Sequence, residues 1–297
     1  MSGSENDKFG PEVFGLFDKY VHGLISRRDF IDRAAGMAIA GMSGAALLAA
    51  LNPKFAEAQQ VAPDDARVNA KFVEIPTPGY GKSRGYLVKP ANAKGSLPGV
   101  LVVHENRGLN PHIEDIARRI ALENFVAFAP DALFPLGGYP GDEDKARELF
   151  QQLDQSKTRE DFAAAVRYLQ KLEDTNGRVG VVGFCYGGGM AGFLATRVPD
   201  LKAAVSFYGG AAPLEDVRKI KAPLQIHFAE RDERINAAWP SYEAALKEAR
   251  VNYQAFVYSG AQHGFNNDAT PRFNKDAASL AWKRTVDFFD AQLRQSE

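Results

Sequence analysis

The chain has a single cysteine, Cys185, in 297 residues, so no internal disulfide framework holds it together. It has no excess of either charge. Its 36 Lys and Arg against 37 Asp and Glu leave a formal net charge of −1, which removes the electrostatic case for a nucleic-acid or anionic-membrane partner. No group of His, Cys, Asp and Glu shows metal-ligand spacing. Gly187-Gly188-Gly189 lacks the order of nucleotide-binding glycines, so neither a metal nor an organic cofactor is expected. There is no internal repeat and no low-complexity segment. Apolar and charged fractions of 45% and 25% are ordinary for a globular protein, and the length suffices for one large core or two small ones.

The N-terminus carries a compartment signal. Ser26-Arg27-Arg28-Asp29-Phe30-Ile31 resembles a twin-arginine export motif. A run rich in Gly, Ala, Met and Leu follows from Ala34 to Leu51, broken only by Ser43, and then the small-x-small triplet Ala56-Glu57-Ala58 before Gln59. Basic, moderately apolar and small-residue regions stand in the order of an export leader. The run is too rich in Gly and Ala for a permanent membrane span. Residues 1–58 are therefore expected to be a leader that engages the twin-arginine export machinery and is cleaved in the periplasm; a cytoplasmic protein is the alternative. Glu12 to Gly23 reads as a short helix of unassigned role, and His22 falls within it. Residues 59–70 read as a linker, with Pro63 to Asn69 its polar stretch.

From residue 71 to 297 strands and helices alternate. Strands are expected at Lys71–Ile75, Arg84–Val88, Val100–Val103, Val126–Ala129, Val179–Val182, Ala203–Phe207, Leu224–Phe228 and Ala255–Tyr258. Several are short continuous apolar runs, as befits strands covered on both faces. Helix patterns fill the gaps at Ile113–Glu123, Lys145–Gln151, Arg159–Leu172, Gly188–Arg197, Pro240–Ala249 and Lys275–Leu293. The first two strands have no helix between them and should form an antiparallel hairpin at one edge. The expectation is one α/β domain, an approximately eight-stranded, mostly parallel sheet with helices on both faces. Its site should lie beyond the carboxyl ends of the strands.

Three of those ends carry chemistry. Arg178 to Val182 runs into Gly183-Phe184-Cys185-Tyr186-Gly187, and a helical stretch follows. This is the layout of a nucleophile elbow with cysteine at its tip, where small residues must flank a strained turn. Asp232 follows the strand ending at Phe228, and His263 follows the strand ending at Tyr258. Nucleophile, acid, histidine is the chain order of α/β hydrolases. Cys185 as thiolate would attack a carbonyl, and the positive end of the following helix favours that thiolate. His263 would relay protons, and Asp232 would fix its tautomer. The N–H groups of Tyr186 and Asn106 would bind the oxyanion. The other histidines have blander readings: His104 shapes the oxyanion loop, His112 caps or lies on a surface turn, and His227 packs within a strand. Glu230 and Glu233 rival Asp232, whose offset from the strand end is the better one.

At these residues the chain resembles the dienelactone hydrolase family, over about Phe72 to Leu293. Val103-His104-Glu105-Asn106-Arg107-Gly108, Ala129-Pro130-Asp131, Gly183-Phe184-Cys185-Tyr186-Gly187 and Gly260-Ala261-Gln262-His263-Gly264-Phe265 carry the likeness. The likeness is closest to a leader-bearing branch of the family. It implies an α/β-hydrolase fold and a lactone or small ester as substrate. It also implies Cys185 as nucleophile, Asp232 as acid, His263 as base and Glu105 as the group that takes the thiol proton. Two departures matter. Members of the family hold a substrate carboxylate with two arginines. One position falls in Ala132-Leu133-Phe134-Pro135-Leu136, and the other is Asn267. Without them the charge-assisted, bidentate bonds are lost. Arg107, Arg231, Arg234 and Arg272 are candidate substitutes. Phe134, Tyr139, Tyr208 and Trp239 are candidates for a more apolar pocket wall. The competing readings are a broader carboxylesterase or acyltransferase, a silent binding protein on the same fold, and a thiol redox protein, which would lack a resolving cysteine.

Overall fold

The alternating apolar runs pair into one eight-stranded sheet in the computed structural model, which describes residues 9–37 and 41–294. The strands are β1 (Val68–Thr77), β2 (Gly81–Pro90), β3 (Leu97–Val103), β4 (Val126–Pro130), β5 (Thr175–Phe184), β6 (Ala203–Phe207), β7 (Leu224–Arg231) and β8 (Tyr253–Gln262), in spatial order 1-2-4-3-5-6-7-8. β1 pairs antiparallel with β2, and β2 antiparallel with β4; all other neighbours are parallel. The edge hairpin is thus as expected. β1 begins three residues before the apolar run because Val68 is in register with Pro90 across the hairpin.

Strand residues alternate between two cores. Leu101, Val103, Val179 and Val181 face one, closed by α7 (Gln155–Lys171), α8 (Tyr186–Arg197) and α10 (Trp239–Glu248), with α6 (Glu143–Gln151) at its margin. Val100, Val102, Val182, Phe184, Val205 and Phe207 face the other, closed by α5 (Pro111–Leu122) and α11 (Lys275–Leu293). This period of two places consecutive apolar residues of one strand in opposite layers. A short α9 (Glu233–Asn236) follows β7. The stretch read as a linker is pinned: the buried Asp115 carboxylate accepts from the Val61 and Gln60 N–H groups (2.8 and 3.2 Å), and Arg118 Nε donates to the Val61 carbonyl (2.7 Å).

The segment read as an export leader forms four helices: α1 (Pro11–Val21), α2 (Arg27–Ala35), α3 (Gly44–Leu51) and α4 (Phe55–Ala58). Ser26 and Asp29 cap α2 reciprocally, which stops the twin-arginine stretch from continuing α1. Ser43, the polar interruption of the apolar run, caps α3 by accepting from Ala46 N–H (3.2 Å). Phe14, Phe17, Tyr20, Phe30, Leu47, Leu48 and Leu51 bury one another in a core of their own, separate from the two cores of the sheet. Ala38 to Ala40 lie outside the described residues. No helix among the described residues is long and apolar enough to cross a membrane.

Candidate active site

The elbow between β5 and α8 is as tight as its glycines suggest. Cys185 has φ 55° and ψ −110°, a conformation that costs a non-glycine residue energy and persists only where its surroundings fix it. Here Cys185 N–H donates to the Phe207 carbonyl (3.0 Å), and the Gly188 N–H donates back to the Cys185 carbonyl (3.0 Å). A Cβ on Gly183 would fall 1.9 Å from the Gly187 carbonyl oxygen, and one on Gly187 would fall 2.2 Å from the Val103 carbonyl oxygen. Only glycine lets strand, turn and helix approach so closely. Among the described turn, loop and cap hydrogen bonds, the Tyr186 and Asn106 N–H groups have no backbone acceptor.

β7 and β8 end beside this elbow. Asp232 is the N-cap of α9: one carboxylate oxygen accepts from Ile235 N–H (3.3 Å), and the other lies 2.6 Å from His263 Nδ1. Both residues are buried. The carboxylate can only accept, so His263 carries its proton on Nδ1 and turns Nε2 towards the sulfur. Nε2 bonds no group and lies within 4.8 Å of Cys185 Sγ. Burial alone would raise the Cys185 thiol. The positive charges of His263 and His22 outweigh it and bring the thiol down to about 6. Burial likewise works against a charged His263, but the thiolate and Asp232 raise it to about 10. Both shifts favour the thiolate and imidazolium forms of the pair.

Glu105 and Arg107 line the same pocket from the β3–α5 loop. Glu105 makes no hydrogen bond to the sulfur; its carboxylate accepts from Asn267 Nδ2 (3.1 Å). Asn267, at one of the two departure positions, thus holds Glu105. His104 braces this loop, with Nδ1 donating to the Glu105 carbonyl (2.5 Å) and Nε2 accepting from Ala132 N–H (3.2 Å). His112 is not on a surface turn. It is buried, 3.2 Å from Asp268.

The aromatic candidates separate. Tyr208 is fully buried, with its ring 5.0 Å from that of His263. Tyr139 stands one layer back, donating to Glu143 (2.9 Å), which in turn lies 3.6 Å from Arg107 Nε. Phe134 is not in the pocket. It lies under the cations of Arg84 and Lys82 at the sheet edge, because the turn after Asp131 carries it outward. Trp239 is not there either. It packs on Phe228 and Tyr242 and lines a different cavity, between β6, β7, α8 and α10.

Three contributors, Arg147, Glu143 and His22, were not anticipated, and a fourth, Arg272, was one of four candidate arginines. Arg272 is buried in the pocket, and its Nε and Nη1 make no hydrogen bond. Arg147 and Glu143 belong to α6, where the helix pattern gave no sign of them. Most consequential is His22 at the end of α1, whose Nε2 lies 3.4 Å from Cys185 Sγ and whose ring centre is 4.9 Å from that of His263. No spacing rule could link it to a cysteine 163 positions away. His22, Cys185 and His263 bring their ligand atoms within 4.8 Å of one another, a set of a kind zinc accepts. Arg234 Nη2 is, however, 2.9 Å from His22 Nε2. The positive charge of that guanidinium opposes a metal cation there.

A mostly parallel sheet with an elbow after its central strand, and an acid and a histidine after the next strand ends, defines an α/β hydrolase. Residues 83–293 match the model of the dienelactone hydrolase family, and the chain belongs to that family. A Synechocystis sp. protein named "Putative carboxymethylenebutenolidase" is 33% identical over 71% of this chain and 92% of its own. The Escherichia coli "Putative hydrolase fragment YghX" is 54% identical over 38% of this chain and 97% of its own. The crystal structure titled "Putative Dienelactone Hydrolase" from Klebsiella pneumoniae superposes with a TM-score of 0.69 at 27% identity, covering 77% of this chain and 99% of that one. A separate model, YqhI-like, matches residues 1–38. The protein is accordingly a hydrolase of the dienelactone hydrolase type.

Proposed function

We propose that the protein hydrolyses a lactone or small carboxylic ester through a thioester on Cys185. The observation that supports this best is the sulfur seated at a strained elbow within 4.8 Å of an imidazole that Asp232 holds. The thiolate attacks the carbonyl carbon, and the oxyanion that forms is met by the N–H groups of Tyr186 and Asn106. The C–O bond then breaks, and the leaving alkoxide takes the Nε2 proton of His263. Neutral His263 removes a proton from water, the hydroxide attacks the thioester, and the acid departs as the thiolate is restored. For a lactone the alkoxide stays tethered, and the product is a hydroxy acid. Glu105, tied to Asn267, steadies the loop that presents the Asn106 N–H. Arg107 and Arg272, both buried beside the sulfur, are the guanidiniums placed to receive a polar end of the substrate.

Cys185→Ala should abolish turnover of lactones and p-nitrophenyl esters while its thermal unfolding stays near that of the parent. Near-normal turnover by that variant would refute the assignment. Comparing neutral with anionic esters against the same blank reports which substrates the two arginines favour. The reading of residues 1–58 as a leader for twin-arginine export is part of this proposal. Arg27, Arg28 and Ala56 are exposed, as recognition and cleavage require.

A further inference from the structure

Helix α1 points its carbonyl end into the pocket that holds Cys185. The Val21 carbonyl accepts from Asn106 Nδ2 (3.0 Å) and from both terminal nitrogens of Arg107 (3.2 Å each). The Tyr20 carbonyl accepts from Arg147 Nη1 (2.9 Å), whose guanidinium lies 4.4 Å over the Tyr20 ring, and the Tyr20 hydroxyl donates to Asp144. These carbonyls are the negative end of the helix, and the catalytic domain meets them with cations. Asp18 extends the pattern, lying 3.5 Å from Arg234 and 3.7 Å from Arg272. His22 Nδ1 donates to the Asp18 carbonyl (2.8 Å), which aims Nε2 at Sγ.

The place His22 occupies is the place a substrate needs. An acyl carbon must come within about 3–3.5 Å of the attacking atom, and His22 Nε2 already stands 3.4 Å from Sγ. Phe17, Tyr20, Val21 and His22 wall the pocket and leave a cavity of about 40 Å³ for the centre of a water-sized molecule. That suits about three waters, each needing roughly 10–15 Å³ by the same measure, and not an ester. A second, broader groove between α1 and the β7–α9 loop reaches Asp232 and His263, but Cys185 does not line it.

We propose that the mouth of the Cys185 pocket is a docking surface for this chain's own N-terminal segment, and that the docked segment keeps acyl groups off the sulfur. The proposal rests on the reading of Cys185 as nucleophile. The segment has its own apolar core, and its hold on the pocket mouth is mostly polar, through Asn106, Arg107, Asp144, Arg147, Arg234 and Arg272. It can therefore leave without opening the cores of the sheet. It also carries Ser26-Arg27-Arg28 and Ala56-Glu57-Ala58, so removal at Ala58 would take the whole obstruction away and leave an active hydrolase.

The test uses full-length protein, with His22→Ala to clear the space at the sulfur and Asp18→Asn to loosen the hold while keeping the ring. Circular dichroism checks that each is folded. The thiol faces His22 from α1, His263 from the loop after β8, Glu105 and Arg107 from the loop after β3, and Tyr208 after β6. Alkylation by iodoacetamide is therefore followed against pH, and its alkaline plateau, where every thiol is ionised, reports access alone. Both variants should raise that plateau, and the kcat/KM for p-nitrophenyl acetate measured at the plateau pH, about tenfold, the open fraction being the tax on apparent rate. An unchanged or lower plateau overturns the proposal. So does a loss of turnover measured at the plateau pH, which would make His22 a working member of the site. Turnover that survives Cys185→Ala in the His22→Ala background would instead sink the nucleophile assignment, while the plateau still reports docking.

Discussion

Replacing Asp232 with Asn tests the electrostatic chain that runs from carboxylate to imidazole to sulfur. The substitution is mild for the fold. Asn caps a helix about as well as Asp, so Ile235 N–H keeps its acceptor at the start of α9. What disappears is a negative charge whose oxygen sits 2.6 Å from His263 Nδ1 in a buried setting. With both charges spread over their groups the effective separation is about 4 Å, and an effective dielectric constant near 20 gives roughly 4 kcal/mol. At 1.36 kcal/mol per unit that is about three units of imidazole basicity. His263, raised to about 10 in the intact site by the thiolate first and by Asp232 after it, would then titrate lower. The thiol would lose the cation that brings it down to about 6. Because the two sites are coupled, the measured midpoints belong to the pair. The sign is definite: the thiolate is the form the intact site favours, so reactivity rises with pH through the lower midpoint, and the substitution moves that midpoint up. The assay is the pH profile of iodoacetamide capture at Cys185, alongside kcat/KM for p-nitrophenyl acetate. The expected results are a midpoint raised by one to three units and a fall in kcat/KM on the order of 10²–10⁴. A midpoint still near the parent value with kcat/KM within twofold would refute the reasoning.

Two shorter tests address the elbow and the leader. Gly183→Ala places a methyl 1.9 Å from the Gly187 carbonyl oxygen, so it should cost at least about 1–3 kcal/mol in urea unfolding and suppress turnover; parental stability and activity would show that the turn has slack. Protein recovered from the periplasm of an export-competent bacterium should have an intact mass beginning at Gln59, and material still carrying Met1 would count against cleavage.

The strand pattern was legible because each strand is a short apolar run between turn signals, and the cores on its two sides need nothing more specific than that. Cys185, Asp232 and His263 were legible for a related reason. Each lies within five residues of a predicted strand end, in the chain order nucleophile, acid, histidine, and parallel strands deliver their carboxyl ends to one edge. The same logic failed where a side chain's direction is set by a turn. Phe134 and Trp239 follow strand ends too, yet the turn after Asp131 and helix α10 send them to other surfaces. Arg272 was named among several arginines but could not be chosen, since its burial depends on the loop between His263 and α11. His22 was out of reach altogether. Its place comes from the docking of a separate apolar cluster, which no local pattern records.

That docking also gives the cysteine a setting distinct from what the three strand ends alone provide. With α1 in place the thiolate has two imidazoles against it, His263 and His22, and both contribute to lowering the thiol. A sulfur so held is favoured as the thiolate yet shielded, because the second imidazole stands in the position that an electrophile would take. Ionisation and reactivity, which usually rise together, are thus separated. Removing His22 should raise the midpoint of alkylation and its plateau at once, two changes that act in opposite directions at pH 7. A single-pH rate could report either one or neither, whereas the full profile assigns the midpoint to charge and the plateau to space.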